Sequence, residues 1–501
     1  MDRLQAGKHG FSMEAAIRTI VMLAAAVVII TVCSKSSPLY PLNDWDDPNC
    51  FFTVGKSLAS GRVLYRDIYE QKGPLLYFMH TAAVFISDRS FFGVYLIEAA
   101  AAFLFLIFSR RTFSLFCGDK AWYALLPMAA LVYTSLAFCG GDSAEELCLP
   151  LLSYSLYVLL SCAKHHRSIQ AGEGFFFGLG AGIVLWVKYT ILGFYIGMFL
   201  VLAAIYFRRR ELRRMLILFI TALTGAAAAS LPVIWYFLRT DAFADLWQVY
   251  FYDNIFLYKT DAVGIPVLSQ LWNLLIGMGS FAAYNTVGFL CLTAAVCFML
   301  RQKKRTMKFA FLLTASSTFF FVFAGGRAFA YYSLIMSVFA PVGVAAVYTV
   351  GSEKCSKLRI KKAVPGLSSV ISLALLCALC RNTYLIFTPR ESLPQFRFER
   401  IISQMENPTL LNYGFLDGGF YTVSGIVPQC RFFCRLNIPL SEMYAEQDAY
   451  VSQGRVDFIV TKDEKPEWER YECIDECHYT YWSNPCTYYL YRLRQSDVPG
   501  G

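Results

Sequence analysis

Long apolar runs separated by short polar breaks repeat along most of the chain. They lie near 14–34, 92–109, 121–138, 147–163, 173–187, 190–207, 215–238, 281–300, 308–324, 331–350 and 365–387. A helix needs about 20 apolar residues to cross a bilayer, so these runs predict about eleven transmembrane helices. The first run is longer than a usual signal-peptide core, no clear A-x-A site follows it, and many spans come later, so it reads as a retained helix.

The breaks alternate in character. RR at 110–111, KHHR at 164–167, RRRELRR at 208–214, RQKKR at 301–305 and KCSKLRIKK at 354–362 fall in every second break, and Arg3, Lys8 and Arg18 belong with them. The positive-inside rule makes these segments cytoplasmic. The segments 35–91, 139–146, a turn at Lys188, 239–280, 325–330 and the tail from 388 then face outward. The expectation is a multi-pass plasma-membrane protein with its N-terminus cytoplasmic and its C-terminal part extracytoplasmic.

Composition agrees with this. Of 501 residues, 56% are hydrophobic and 16% charged, a balance unlike that of a soluble chain of this size. The net charge of +9 resides in the short basic clusters, so nucleic acid is not an expected partner. Most of the sixteen cysteines fall inside apolar runs. Cys430, Cys434, Cys473, Cys477 and Cys486 lie in the polar tail, where an odd number leaves at least one unbridged within that set. No CxxC pair occurs among these tail cysteines, and His478 alone makes no zinc site.

Residues 1–387 therefore read as an all-α polytopic membrane domain with an acidic first external loop at 35–91, and residues 388–501 as a small external α/β domain. In the tail, 396–406 predicts a helix, and LLNYGFL, VDFIV and CTYYLYRL predict strands. In the first loop, the Asp and Gly that bracket 48–59 predict a short helix. GPLLYFMHTAAVFI, 73–86, is too short to cross and predicts an interfacial helix.

The first loop also gathers Asp44, Asp46, Asp47, Asp67 and Glu70, ending in Lys72. With Glu145, Glu146 and Arg327 on the same predicted side, polar chemistry collects at one face. DWD at 44–46 imitates a metal-binding DxD motif, but no alternating βαβ pattern surrounds it.

The motifs DDPNCFFTVGKSL and GRVLYRDIYEQKGPLLYF, followed by SAEELCLP, GGRAFAYY and YGFLDGGFYTVSGIVPQCRFF, resemble the GT-C superfamily of membrane glycosyltransferases. The nearest match is a Gram-positive branch related to protein O-mannosyltransferases and lipid A aminoarabinose transferases. Ala144 stands where that branch usually has Thr, and Tyr331 where it has His. The resemblance implies a GT-C-like fold and transfer of a sugar from a polyprenyl-phosphate donor to an external glycan, lipid or protein acceptor.

A lipid-linked donor holds its phosphate at headgroup level, which accounts for carboxylates beside the bilayer. Inverting transfer needs a base for the acceptor hydroxyl and cations for the phosphate leaving group. Asp47 fills the position of the family's loop Asp and is the candidate base. Asp67, Glu70, Glu145 and Glu146 match its other acidic pairs, with acceptor orientation, metal binding or structural pairing as their open roles. Lys72, Lys188, Arg327 and Arg66 are the candidate phosphate ligands. The residues fix no cofactor, and a divalent metal is left open.

Structural roles stand beside each of these. Asp46 or Asp47 suits a helix N-cap, and Glu145 and Glu146 suit the N-terminal dipole of the fourth span. Lys72 suits snorkelling, and Lys188 suits an interface anchor. His80, on an apolar helix, reads as packing. The rival functions are a lipid-linked glycan ligase or polymerase, a polysaccharide or lipid transporter, and an envelope-assembly protein. Transporters place charges mid-membrane, ligases rely on a large late loop, and an assembly protein would work through its tail.

Overall fold

The computed structural model describes residues 13–258, 266–354, 364–481 and 484–494. Arg3, Lys8 and most of the KCSKLRIKK cluster lie outside them. Among the described residues, seven helical stretches are long and apolar enough to cross a membrane, or nine if each of two bent helix pairs is one crossing.

Helix α1 (Met13–Cys33) leads into the first loop, whose two short helices are α2 (Asp46–Ala59) and α3 (Pro74–Val84), packed on each other. Pro74 sits at the start of α3, where its missing N–H has no partner to lose. Helix α4 (Phe92–Cys117) is a full crossing. The run at 121–138 differs from expectation. It forms only the nine-residue α5 (Leu125–Tyr133) between two 3-10 turns, because Ser135 turns extended and Cys139 adopts a left-handed backbone.

Helix α6 (Ala144–His165) is capped by the Ser143 hydroxyl, which accepts from the Glu146 N–H. Helices α7 (Ala171–Lys188), α8 (Gly193–Arg208) and α9 (Leu212–Arg239) follow. Small residues join α7 to α9 in parallel register. A Cβ on Gly174 would meet Leu218 and Thr221, one on Gly178 would meet Ala222, and one on Gly182 would meet Ala226 and Ala229. Two successive helices can flank a third in parallel only if the middle one runs back. The continuous stretch Ala171–Arg208 therefore reverses at Lys188, whose backbone is extended, and counts as two crossings, as the sequence predicts.

The segment 239–280, expected as a loop, is largely helical where described. The short α10 (Phe243–Asp245) runs into a wide π-helix at Leu246–Leu257. Polar bonds across to the first loop hold it: Tyr69 donates to Asp253 at 2.8 Å, and Asn254 donates to the Gln71 carbonyl at 2.7 Å. Helix α11 (Pro266–Tyr284) then meets α12 (Thr286–Arg301) at 112°. Asn285 makes that corner, accepting from Gly288 N–H and donating to Ser333 and Ser337. Helix α13 (Arg305–Phe323), a 3-10 segment (Ala330–Phe339) and α14 (Ala340–Lys354) complete the central bundle, and α15 (Val364–Leu379) bends by 69° into a last 3-10 turn.

The bundle has two chemically distinct ends. Arg18 and Arg110 both pair with Asp119, Lys164 donates to the Leu115 carbonyl, Lys304 to the Lys164 carbonyl, and Arg214 to Ser168. Among the described residues the basic clusters thus meet at one end. The acidic first loop and the rest of the predicted outer segments meet at the other.

The tail carries α16 (Pro394–Ile402), α17 (Phe420–Ser424) and α18 (Ser441–Ser452) with a four-stranded sheet of order β1-β2-β4-β3. Strands β1 (Leu410–Asn412), β2 (Phe458–Lys462) and β4 (Asn484–Leu493) fall in the three predicted segments. The unexpected strand is β3 (Tyr471–Tyr481), an edge strand whose exposed positions include Glu472 and Glu476. Such charges blunt an edge and also hide it from hydrophobic patterning. The sheet unit sits on the first loop: Thr53 donates to Asp417 at 2.6 Å, Lys56 to the Tyr421 carbonyl at 2.9 Å, and Tyr481 to Asp46 at 3.0 Å.

Candidate active site

The Lys72-Gly73-Pro74 step is pressed against the end of α7. The Gly73 N–H donates to the Val187 carbonyl at 3.3 Å. A Cβ at position 73 would lie 2.0 Å from the Trp186 carbonyl oxygen, so only glycine fits this approach. The contact carries Lys72 to the reversal at Lys188, and the two ammonium groups lie close enough to repel each other.

Acids surround this pair. Lys72 Nζ is 4.0 Å from Asp47 Oδ2 and 3.9 Å from Glu70 Oε1, and it lies 5.4 Å from the Phe51 ring centroid. Glu70 also accepts from the Lys72 N–H at 2.9 Å. Lys188 Nζ is 2.5 Å from Glu145 Oε1 and 3.5 Å from the centroid of Tyr332. The Tyr331 ring centroid is 5.2 Å from the same ammonium, and Tyr331 packs edge-on against Trp45. The wide helix delivers Tyr258, which reaches Tyr332 and stacks under Arg327 at 3.8 Å. Arg327 also donates to the Tyr258 carbonyl.

Burial alone would lower Lys72, but the Asp47 and Glu70 charges hold its ammonium well above the usual lysine range. Burial pushes Glu70 up, only partly opposed by Lys72. Asp47 is 17% exposed and makes no N-cap, because Trp45 holds that position. Its 4.0 Å approach to Lys72 is a charge contact rather than a hydrogen bond, so its carboxylate keeps its acceptor capacity. Glu145 Oε2 is buried with no hydrogen-bond partner, and it too faces this cluster.

The site therefore unites Asp47, Glu70, Lys72, Glu145, Lys188 and Arg327. It does not include the remaining three candidates. Asp67 and Arg66 pair with each other at 3.2 Å, and their other bonds go to Val63 and Thr240 backbone. Glu146 turns away from Lys188. It accepts from the Asp142 N–H at 2.9 Å, beside Glu98, which accepts from the same N–H and from Ser34. Asp142 meets His80 Nε2 at 2.9 Å, so His80 has a polar partner as well as a packing role. No group of three or more His, Cys, Asp or Glu among the described residues is arranged to hold a metal ion.

Sequence reasoning missed Tyr258, Tyr332 and Glu98. Tyr258 lay in an expected loop and Tyr332 in an apolar run, without a signal. Glu98 did carry one: a lone carboxylate within a crossing is uncommon and marks a polar contact.

No family model matches the chain, and no curated protein does either. Solved structures do. ArnT from Cupriavidus metallidurans bound to undecaprenyl phosphate superimposes with a TM-score of 0.60 over 97% of this chain and 100% of that one, at 12% identity. The apo state of that protein gives 0.58 at the same identity and coverage. The likeness reaches the GT-C fold and not the Gram-positive, O-mannosyltransferase-like branch expected from the loop motifs. The chain is a multi-pass membrane protein with the GT-C fold, a helical bundle carrying a small sheet domain at its acidic end.

Proposed function

We propose that this protein is a glycosyltransferase that takes a sugar from a polyprenyl-phosphate donor and passes it to an acceptor at the extracytoplasmic face of the plasma membrane. The observation that carries the proposal is the meeting of Lys72 and Lys188 beside Asp47 at the acidic end of the bundle. The solved relative in fold binds undecaprenyl phosphate, and the basic clusters at the opposite end favour a cytoplasmic placing there.

In this reading the donor phosphate lies between Lys72 and Lys188, with Arg327 at its edge. Its negative charge replaces part of what Glu70 and Glu145 now provide. An acceptor oxygen attacks the anomeric carbon from the side opposite the phosphate, inverting it. Asp47 takes the hydroxyl proton, the carbon–oxygen bond to phosphate breaks, and the cations hold the leaving polyprenyl phosphate. Glu145, with one unpartnered oxygen, is placed to orient a sugar or acceptor hydroxyl.

The test is release of undecaprenyl phosphate by the purified protein from a panel of undecaprenyl-phosphate sugars. This product forms whatever the acceptor. Consumption of one donor, lost in Lys72→Ala and Lys188→Ala, is the expected result. No consumption of any donor, together with no binding of undecaprenyl phosphate, would sink the proposal.

A further inference from the structure

We propose that Cys50 and Cys434 form a disulfide in the mature protein, locking the helix that carries the candidate base to the sheet domain. The two sulfurs lie 3.8 Å apart as thiols, both fully buried, and 384 residues separate them in the chain. A disulfide has an S–S distance of about 2.05 Å, so the sulfurs must approach by about 1.8 Å to bond.

The backbones are already held for this. One face of α2 presents Asn49, Cys50, Thr53 and Lys56, and each of the other three bonds to the sheet domain. Asn49 accepts from Thr422 at 3.1 Å, Thr53 donates to Asp417 at 2.6 Å, and Lys56 donates to the Tyr421 carbonyl at 2.9 Å. On the other side, the Arg435 N–H donates to the Phe415 carbonyl at 2.8 Å, fixing the residue next to Cys434. Asp47 lies one helical turn before Cys50, so the bridge would fix the base's helix as well as the domain.

The sulfurs are inaccessible once the domain has docked, so the reaction belongs to folding. One thiolate attacks the disulfide of a dithiol–disulfide oxidant outside the cytoplasm, giving a mixed disulfide. The second thiolate displaces the oxidant. One S–S bond forms as the oxidant's S–S bond breaks, and the two electrons and the two thiol protons, relayed through solvent, leave on the oxidant as its dithiol. The bridge rests on the placing of this end outside the cytoplasm, since thiols stay reduced inside it.

The experiment uses full-length protein from aerobically grown cells. Cells are quenched in acid and denatured, and free thiols are blocked with N-ethylmaleimide. The protein is then reduced and blocked again with a deuterated form, and its peptides are weighed. Cys50 and Cys434 should carry the second label almost completely, and unreduced samples should contain their linked peptide. In Cys50→Ser, Cys434 should carry the first label. Both cysteines carrying the first label in the native protein would overturn the bridge, as would Cys434 remaining oxidised in Cys50→Ser. Donor consumption by the same preparation is measured separately, so a reduced pair in an active protein removes the bridge and leaves the glycosyltransferase proposal standing.

Discussion

Lys188 and Glu145 form a 2.5 Å ion pair in which the two side chains are only 11% and 2% exposed. Such a pair is weak evidence of net stability, but cutting it from one side leaves a buried charge alone. Glu145→Ala is therefore expected to destabilise the protein by about 3–5 kcal/mol. Thermal unfolding in detergent checks this, and a change below about 1 kcal/mol would mean that solvent reaches Lys188 more freely than its burial indicates.

Asp47 and Asp44 should separate under the same substitution. Asp47→Asn removes basicity from a carboxylate without a cap or close hydrogen bond, so transfer should fall at least about a hundredfold with stability retained. Asp44 is buried in a 2.5 Å pair with Lys35 and accepts from Tyr384 and Tyr479, so Asp44→Asn should lower the melting temperature. Parallel transfer and melting measurements decide it. Normal transfer in Asp47→Asn would remove it as the base.

Gly73→Ala tests how the two lysines are brought together. The added methyl would overlap the Trp186 carbonyl, and overpacking of this kind costs about 1–3 kcal/mol. The segment leading into α3 must retreat and take Lys72 with it. Donor consumption should drop well beyond the stability loss, whereas Gly61→Ala, where nothing lies near the new Cβ, should retain donor consumption despite some backbone strain.

The contact between α2 and the sheet domain should weaken as pH rises. Burial pushes Asp46 from its ordinary 3.8 to about 7 and Asp417 to about 6. The folded protein therefore holds these protons more tightly than the unfolded chain, so stability is full below the ordinary carboxylate value and declines through about 7. Melting temperature measured across this window should fall, and Asp46→Asn should flatten the fall. A melting temperature that climbs over the same window would contradict it.

The bundle was legible because lipid demands apolar length and charge asymmetry, both written locally. Even the reversal at Lys188 showed itself as a break between two apolar runs. The loop helices α2 and α3 were legible from Asp, Gly and Pro at their ends. What sequence could not show was distance across the fold. Nothing in Lys72 or Lys188 alone says that Gly73 must touch Trp186. Tyr258 reaches the site through a wide helix in a stretch too short to read as a crossing, anchored to Tyr69 and Gln71 far away in the chain. Asp67 and Arg66 had the right residue types next to the right motif, yet they are satisfied by each other and by nearby backbone.

The sheet domain's seat on α2 sets an order for biogenesis. Residues 43–78 are among the first to leave the ribosome, but the groups that pair with Asp46, Thr53 and Lys56 lie at 417–481. The candidate catalytic loop is thus translocated early and waits, unfinished, until almost the whole polypeptide has been made. If the proposed function holds, a nascent chain arrested before the tail should be inserted but inert, and sugar transfer should await completion of the polypeptide.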